Sequence, residues 1–391
     1  MNIQQQISTF LKERKTDMLT LLNELVCIQS GTKNKSGVDR VGQVILREMK
    51  ALGFTCEQKK DSDFGNHIIA RSPGFDSGKK QVLITGHMDT VFPHDTGFNF
   101  FKQDHKNCYG PGVADMKGGL VVGIFALKSL VRANFMHRLP VTFIFNSDEE
   151  MGSPSSRSLI QNEARKSKIA FVLEAGGLNG EIVTGRKGNV SVQLDVTGEA
   201  GHAAFAGIHK ASAILELAHK TIAIEKLNAP QKGISANVGM IAGGIGPNTV
   251  PQHASARIDF RFLKSTDQND LESGFTSICN QIIIPGTSST MTIVSSRPAM
   301  PETKRNLAVF QKIHKLAKSL DIQIISELRQ GVSDANLIAY EGIPVIDGLG
   351  PIGAKDHSED EYIQTKSLFD RSVLFGNILA NLCLDLKYKR V

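Results

Sequence analysis

Five side chains able to bind a metal ion recur along this chain of 391 residues: His87, Asp115, Glu150, Glu174 and His357. Each stands in a short, distinctive run: G-H-M-D at 86–89, G-P-G-V-A-D-M-K-G-G at 110–119, S-D-E-E-M-G at 147–152, L-E-A-G-G at 173–177 and D-H-S-E-D-E at 356–361. Two imidazoles and three carboxylates make a donor set for two borderline divalent ions that share a carboxylate bridge. Glu149, beside Glu150, is a spare acid that could serve as a base. That combination points to an enzyme.

The chemistry follows from the residue types. In His87-x-Asp89, the ring would bind an ion while Asp89 accepts the other ring N–H and fixes the tautomer. Asp115 could give one oxygen to each ion, which suits a glycine-rich loop that wraps the backbone tightly around it. Adjacent residues at a strand end point in different directions, so Glu150 can ligate while Glu149 faces a water held by the ions. Two cations lower the pKa of that water. Glu149 would take its proton and pass it to a departing amine, assistance worth about 10²–10⁴-fold. Taken singly, each motif has a bland reading: a turn cap, a salt-bridge partner or a surface acid pair. His202, in G-E-A-G-H-A at 198–203, alone reads as a structural histidine near a strand end. Gly243-Gly244-Ile245-Gly246 is expected to be a turn between strands, not a phosphate loop, because Pro247 and a β-type run follow it.

The elements that must position these residues are visible as patterns. Helical spacing runs over 4–29 and 38–52, and short β-type runs cover 54–59, 66–71 and 80–86. The Gly-rich turn leads into an apolar helix near 116–133. Buried-type runs follow at 141–145 and 169–173, with a helix from about 154 between them. Alternating apolar strands and helices predict an α/β fold with a doubly wound, mostly parallel sheet. His87, Glu149, Glu150 and Glu174 then fall just past the carboxyl ends of strands, where open α/β sheets build their sites. From 189 to 298 the strands alternate instead, which predicts an inserted α+β domain of β-α-β-β-α-β order. Amphipathic helices at 304–320 and 364–385, with a strand at 343–346, return to the first pattern. The expected domains are therefore a discontinuous one, 1–188 with 299–391, and the insert at 189–298.

Composition narrows the classes. A charge of +6 is spread over short pieces such as Lys59-Lys60, which argues against a nucleic-acid partner. The five cysteines, at 27, 56, 108, 279 and 383, form no C-x-x-C pair and read as reduced thiols. No segment is long and apolar enough for a signal peptide or a membrane span, so a cytoplasmic location is expected.

These motifs, in this order and over nearly the whole length, resemble the di-zinc metallopeptidases and amidohydrolases. That family includes bacterial glutamate carboxypeptidase, acetylornithine deacetylase, succinyl-diaminopimelate desuccinylase and aminoacylase. The glutamate carboxypeptidase branch has similar runs to Cys27-Ile-Gln-Ser-Gly-Thr32, Gly86-His-Met-Asp-Thr-Val91, Asp148-Glu-Glu-Met-Gly-Ser153 and Ser333-Asp-Ala335. The resemblance implies that His87 and Glu174 bind one zinc, Glu150 and His357 the other, and that Asp115 bridges them. It implies Glu149 as general acid/base and Asp89 as the partner of His87. It further implies that the insert is a lid that forms a homodimer, with His202 reaching the partner subunit's site to stabilise an oxyanion. Arg261 and Asn248 match positions expected to hold the substrate's carboxylate and reacting carbonyl. Two departures stand near the expected ligands: Ala175 follows Glu174 where many relatives have proline, and Lys355-Asp356 precede His357 where a small or aromatic residue is more usual.

The expected activity is thus hydrolysis of an amide that releases a free amino acid, in the manner of a glutamate-type carboxypeptidase. The substrate would be a small peptide or N-acyl amino acid, and cobalt or manganese could replace zinc. An N-acyl-amino-acid deacylase or dipeptidase is the rival of like chemistry. A non-catalytic amino-acid or metal-binding protein on a decayed scaffold is the rival from another class.

Overall fold

The computed structural model describes residues 1–385, with side chains to residue 382, so the thiol of Cys383 lies outside the described residues. The chain divides into two units. The first comprises Met1–Gly185, Glu302–Leu328 and the residues from Ser333 onward; the second comprises Arg186–Pro301 and Arg329–Val332.

In the first unit the buried β-type runs form the centre of a six-stranded sheet. Gln81–His87 pairs in parallel with Val141–Asn146 on one side and Ser167–Val172 on the other. Val345–Ile346 then adds, again in parallel, to Ser167–Val172. Valine, isoleucine and phenylalanine fill both faces of these strands, so the sequence shows continuous apolar runs and no alternation. The far edge departs from the parallel pattern. His67–Arg71 runs antiparallel to Val141–Asn146, and Thr55–Lys59 runs antiparallel to His67–Arg71. That outermost strand is mostly exposed and carries Glu57 and Lys59, charges that discourage another chain from pairing with it.

Helix Gly118–Arg132 is apolar nearly all round because it packs between the Gln81–His87 strand and the terminal helix Thr365–Asp385. Its first turn approaches the sheet so closely that a Cβ on Gly119 would stand 1.8 Å from the carbonyl oxygen of Leu173. Glycine there lets the loop before the helix reach the residues after the third central strand. The helical spacing over 4–29 becomes two helices, Ile3–Glu13 and Lys15–Val26, because Arg14 leaves helical geometry at φ −108° and ψ 16°. Both still bury one face, through Ile7, Leu11, Met18, Leu22 and Leu25. Among the described residues no helix is long and apolar enough to cross a membrane. Cys27, Cys56, Cys108 and Cys279 are all free thiols.

The second unit is a four-stranded antiparallel sheet in the order Ser235–Gly243, His253–Phe262, Gly188–Thr197, Ser288–Arg297. Gly188–Thr197 and His253–Phe262 alternate buried and open positions, as expected of strands covered on one face. Helices Ala213–Glu225 and Ser265–Asn280 supply the cover through Leu217, Ile224, Leu271 and Phe275. A buried ion pair locks the two helices. Lys220 Nζ lies 3.0 Å from Glu216 and donates to the carbonyls of Ile278, Cys279 and Gln281, while Glu216 accepts from the amides of Ile283 and Ile284. Gly243–Gly246 leads from one strand into a turn toward the short bridge at Thr249–Val250, with no helix behind it to form a phosphate loop.

Candidate active site

Five segments of the first unit converge at one end of its sheet. His87 is the last residue of its strand, and Glu174 lies two residues past Ser167–Val172. Glu149 and Glu150 open a short 3-10 turn after Val141–Asn146, where the sequence suggested a plain strand end. Asp115 sits in the loop Val113–Lys117, entered through Gly112 at φ +73°, a left-handed conformation that a side chain would strain. His357 lies in a turn after Gly353–Ala354.

Asp115 is the centre of the group. Its Oδ1 lies 2.8 Å from Nε2 of His87, and its Oδ2 lies 3.1 Å from Nε2 of His357. Glu174 Oε1 is 3.8 Å from the same nitrogen of His87, and Glu150 Oε2 is 3.4 Å from that of His357. Two sets of ligand atoms are close enough to share an ion: His87 with Asp115 and Glu174, and Asp115 with Asp356 and His357. The first is enclosed; in the second, His357 is 54% exposed. Glu150 belongs to neither tight set, although it faces the ring of His357.

Asp89 does more than meet one ring nitrogen. His87 Nδ1 lies 3.0 Å from the Asp89 carbonyl oxygen and 3.3 Å from its Oδ1. The same buried carboxylate accepts from the amides of Glu149 and Glu150, each at 3.3 Å, and from Thr32 Oγ1 at 2.7 Å. One side chain therefore ties the imidazole of His87 to the turn carrying both glutamates.

Two buried groups that the sequence did not single out hold the Asp115 loop. Glu361 accepts from the amides of Gly112, Ala114 and Asp115 at 2.9, 2.8 and 3.0 Å. Burial pushes its pKa up to about 7 against these hydrogen bonds. Lys117 donates to the carbonyl of Ile28 at 2.9 Å, and burial pushes its ammonium down to about 7. Glu361 is one of four acids in the D-H-S-E-D-E run, and nothing in that run marks which of them turns inward.

The electrostatics of the cluster favour positive charge. Burial pushes the carboxyl of Glu150 up to about 8, aided by the charge of Asp115, and raises that of Glu174 for the same reasons. Burial opposes the charged form of His87, yet hydrogen bonds with Asp115 and Asp89 hold its pKa well above the usual value. Contact with Asp115, then with Glu150, pushes His357 up to about 11. Oε1 of Glu150 is buried and has no hydrogen-bond partner among the described residues. A crowd of carboxylates, two imidazoles and an unpaired buried oxygen is what a divalent cation neutralises, and mixed N/O donors suit zinc, cobalt or manganese.

His202, Asn248 and Arg261 belong to the second unit. His202 and Thr249 are bridge partners, and Ala203 N donates to the carbonyl of Asn248 at 2.9 Å, so His202 and Asn248 are neighbours. The exposed ring of His202 lies beside Phe205. Arg261 sits apart on His253–Phe262, with Nε 2.7 Å from Asp259.

Comparison with known proteins agrees with this architecture. Carboxypeptidase G2 of Pseudomonas sp. (strain RS-16) is 28% identical over 371 residues, covering 93% of this chain and 89% of that protein. A succinyl-diaminopimelate desuccinylase of Pseudoalteromonas atlantica is 27% identical over 389 residues, covering 94% and 99%. Among solved structures, the fold is shared with the aminopeptidase PepT of Bacillus cereus, at a TM-score of 0.76 and 23% identity over 94% of this chain and 99% of that one. It is shared also with an M20 family metallo-carboxypeptidase of Sulfolobus solfataricus, at a TM-score of 0.75 and 18% identity over 94% and 99%. Residues 83–381 match Peptidase family M20/M25/M40, and the chain belongs to that family.

Proposed function

We propose that this protein is a di-zinc hydrolase that cleaves an amide bond to release a free amino acid, acting as a glutamate-type carboxypeptidase. The observation that carries this reading is Asp115, whose two oxygens face two different imidazoles, with Glu174 beside one and Glu150 beside the other. His87, Asp115 and Glu174 would hold one ion; Asp115, Glu150 and His357 would hold the other. When bound, two zinc ions supply the positive charge that polarises a carbonyl and acidifies water. Glu149 takes the proton of the attacking water and returns it to the departing amine. Asp89 keeps His87 in one tautomer and holds the glutamate turn at the same time.

In the second unit, Arg261 is assigned to the substrate's carboxylate, Asn248 to the reacting carbonyl, and His202 to the oxyanion in a partner subunit's site. A homodimer through this unit is supported by its exposed edge strand Ser235–Gly243, which leaves Met240 and Ile241 open, and by the adjacent helix, which leaves Ile222 open. The likeness to carboxypeptidase G2 favours a C-terminal glutamate as the product. The comparable likeness to a desuccinylase favours a second reading, removal of an acyl group from an amino acid.

A panel assay tests both. Amino-acid release is followed with dialysed protein, with and without added zinc, on glutamate-terminated amides, dipeptides and N-acyl amino acids. Metal-dependent release from the glutamate-terminated amides is expected. Release from acylated amino acids alone would move the protein to the deacylases, and no release with two ions bound would overturn the enzyme reading.

A further inference from the structure

We propose that Asp356 is an additional ligand of the outer ion, the one assigned to His357, so that the two ion positions differ in charge and exposure. The proposal rests on the reading that this cluster holds divalent ions, and it concerns a residue to which that reading gives no role. Ligand atoms of Asp356, His357 and Asp115 all lie within 4.8 Å of one another. The neighbouring cation, Lys355, is engaged elsewhere, 3.0 Å from Asp360. The turn that presents the pair is closed by Ser358 N donating to the Lys355 carbonyl at 3.2 Å, so residues 356 and 357 are displayed together.

A second, independent observation marks the same spot as a cation position. The side chain of Glu150 is only 7% exposed; its Oε2 is 3.4 Å from His357 Nε2, and its Oε1 has no hydrogen-bond partner among the described residues. A buried carboxylate oxygen left unpaired beside an imidazole is costly unless a positive charge meets it.

The two positions are then unlike. The inner one has a single imidazole and two carboxylates, all largely buried. The outer one would have one imidazole, the shared carboxylate of Asp115 and that of Asp356, with Glu150 Oε2 3.4 Å from the ring and His357 half exposed. Three carboxylates make the outer position the harder and more anionic of the two, which favours manganese relative to zinc more than the inner position does. Its exposure makes that ion the first to leave and the first to exchange.

Metal-depleted wild-type protein and Asp356→Asn are titrated with zinc and, separately, with manganese, following ions bound per chain and melting temperature. The wild type is expected to take up two ions, one held more weakly. In Asp356→Asn, the weaker affinity falls at least about tenfold, more for manganese than for zinc, while the tighter ion is unaffected. Because residue 356 is exposed, the metal-free melting temperature should not change. Two ions bound by Asp356→Asn with wild-type affinities would overturn this proposal alone. A wild-type protein that binds no more than one ion would overturn the two-ion reading, and this proposal with it.

Discussion

Oδ1 of Asp115 lies 2.8 Å from Nε2 of His87, while its other oxygen turns toward His357. A carboxylate so placed cannot serve one imidazole without fixing its distance to the other. Any change to the Asp115 loop should therefore be felt at both ion positions.

Removing the ions should destabilise the protein. With Asp115, Glu150 and Glu174 crowded together, each bound cation stabilises the folded state over the unfolded one. An ion present at 100 times its dissociation constant contributes about 2.7 kcal/mol. Melting temperature should fall on exhaustive chelation and recover with zinc, cobalt or manganese. No shift with any of the three would argue that the cluster binds none of them.

Glu149→Gln should lower kcat by about 10²–10⁴ while leaving two ions bound. The substitution keeps the shape of the side chain and the amide hydrogen bond to Asp89. Metal analysis of the purified variant separates the outcomes, because loss of an ion would give Glu149 a ligating role.

Glu361→Ala should weaken both ion positions together. It strips the acceptor from three amides, those of Gly112, Ala114 and Asp115, and each buried unpaired amide costs about 1–3 kcal/mol. The expected result is a fall in melting temperature together with weaker binding of both ions. Weakening of one ion alone would show that the loop does not transmit the change through Asp115.

A mixture of His202→Ala and Glu149→Ala subunits should regain activity that neither variant shows alone. One site of each mixed dimer would then carry an intact Glu149 and receive an intact His202 from its partner. Verified heterodimers without activity would exclude the action of His202 across subunits.

Away from the site, Glu163 supplies a pH-dependent term. Burial raises its pKa, but hydrogen bonds from Arg71, Gln81 and Lys166 outweigh that and pull it from 4.5 to about 2. A lowered carboxyl stabilises the fold above its unfolded pKa, and that contribution is lost as pH falls from 4.5 toward 2. Glu163→Gln should cost about 1.5–3 kcal/mol near neutral pH. The difference from wild type in urea unfolding should shrink as pH drops through that window. A constant difference from pH 6 to pH 3 would contradict the assignment.

The amino-acid sequence by itself determined the donor types, their order and their attachment to strand ends. Apolar runs such as Val141–Phe145 must be buried on both faces, and the hydrophobic effect then places whatever follows them, here Glu149 and Glu150, at the sheet's edge. Period-two alternation from 189 likewise marked a change of architecture, and the strand there is Gly188–Thr197. Tertiary structure alone decided how Asp115 divides its oxygens, that Asp356 stands beside His357's ring with it, and that Glu361 grips the Asp115 loop. The physical reason is that Glu361 binds main-chain amides up to 249 residues away in sequence. Every residue except proline carries such an amide, so these partners leave no signature in residue type or spacing. Side chains that meet ions are legible as chemistry; those that hold the backbone become visible only when the chain has folded around them.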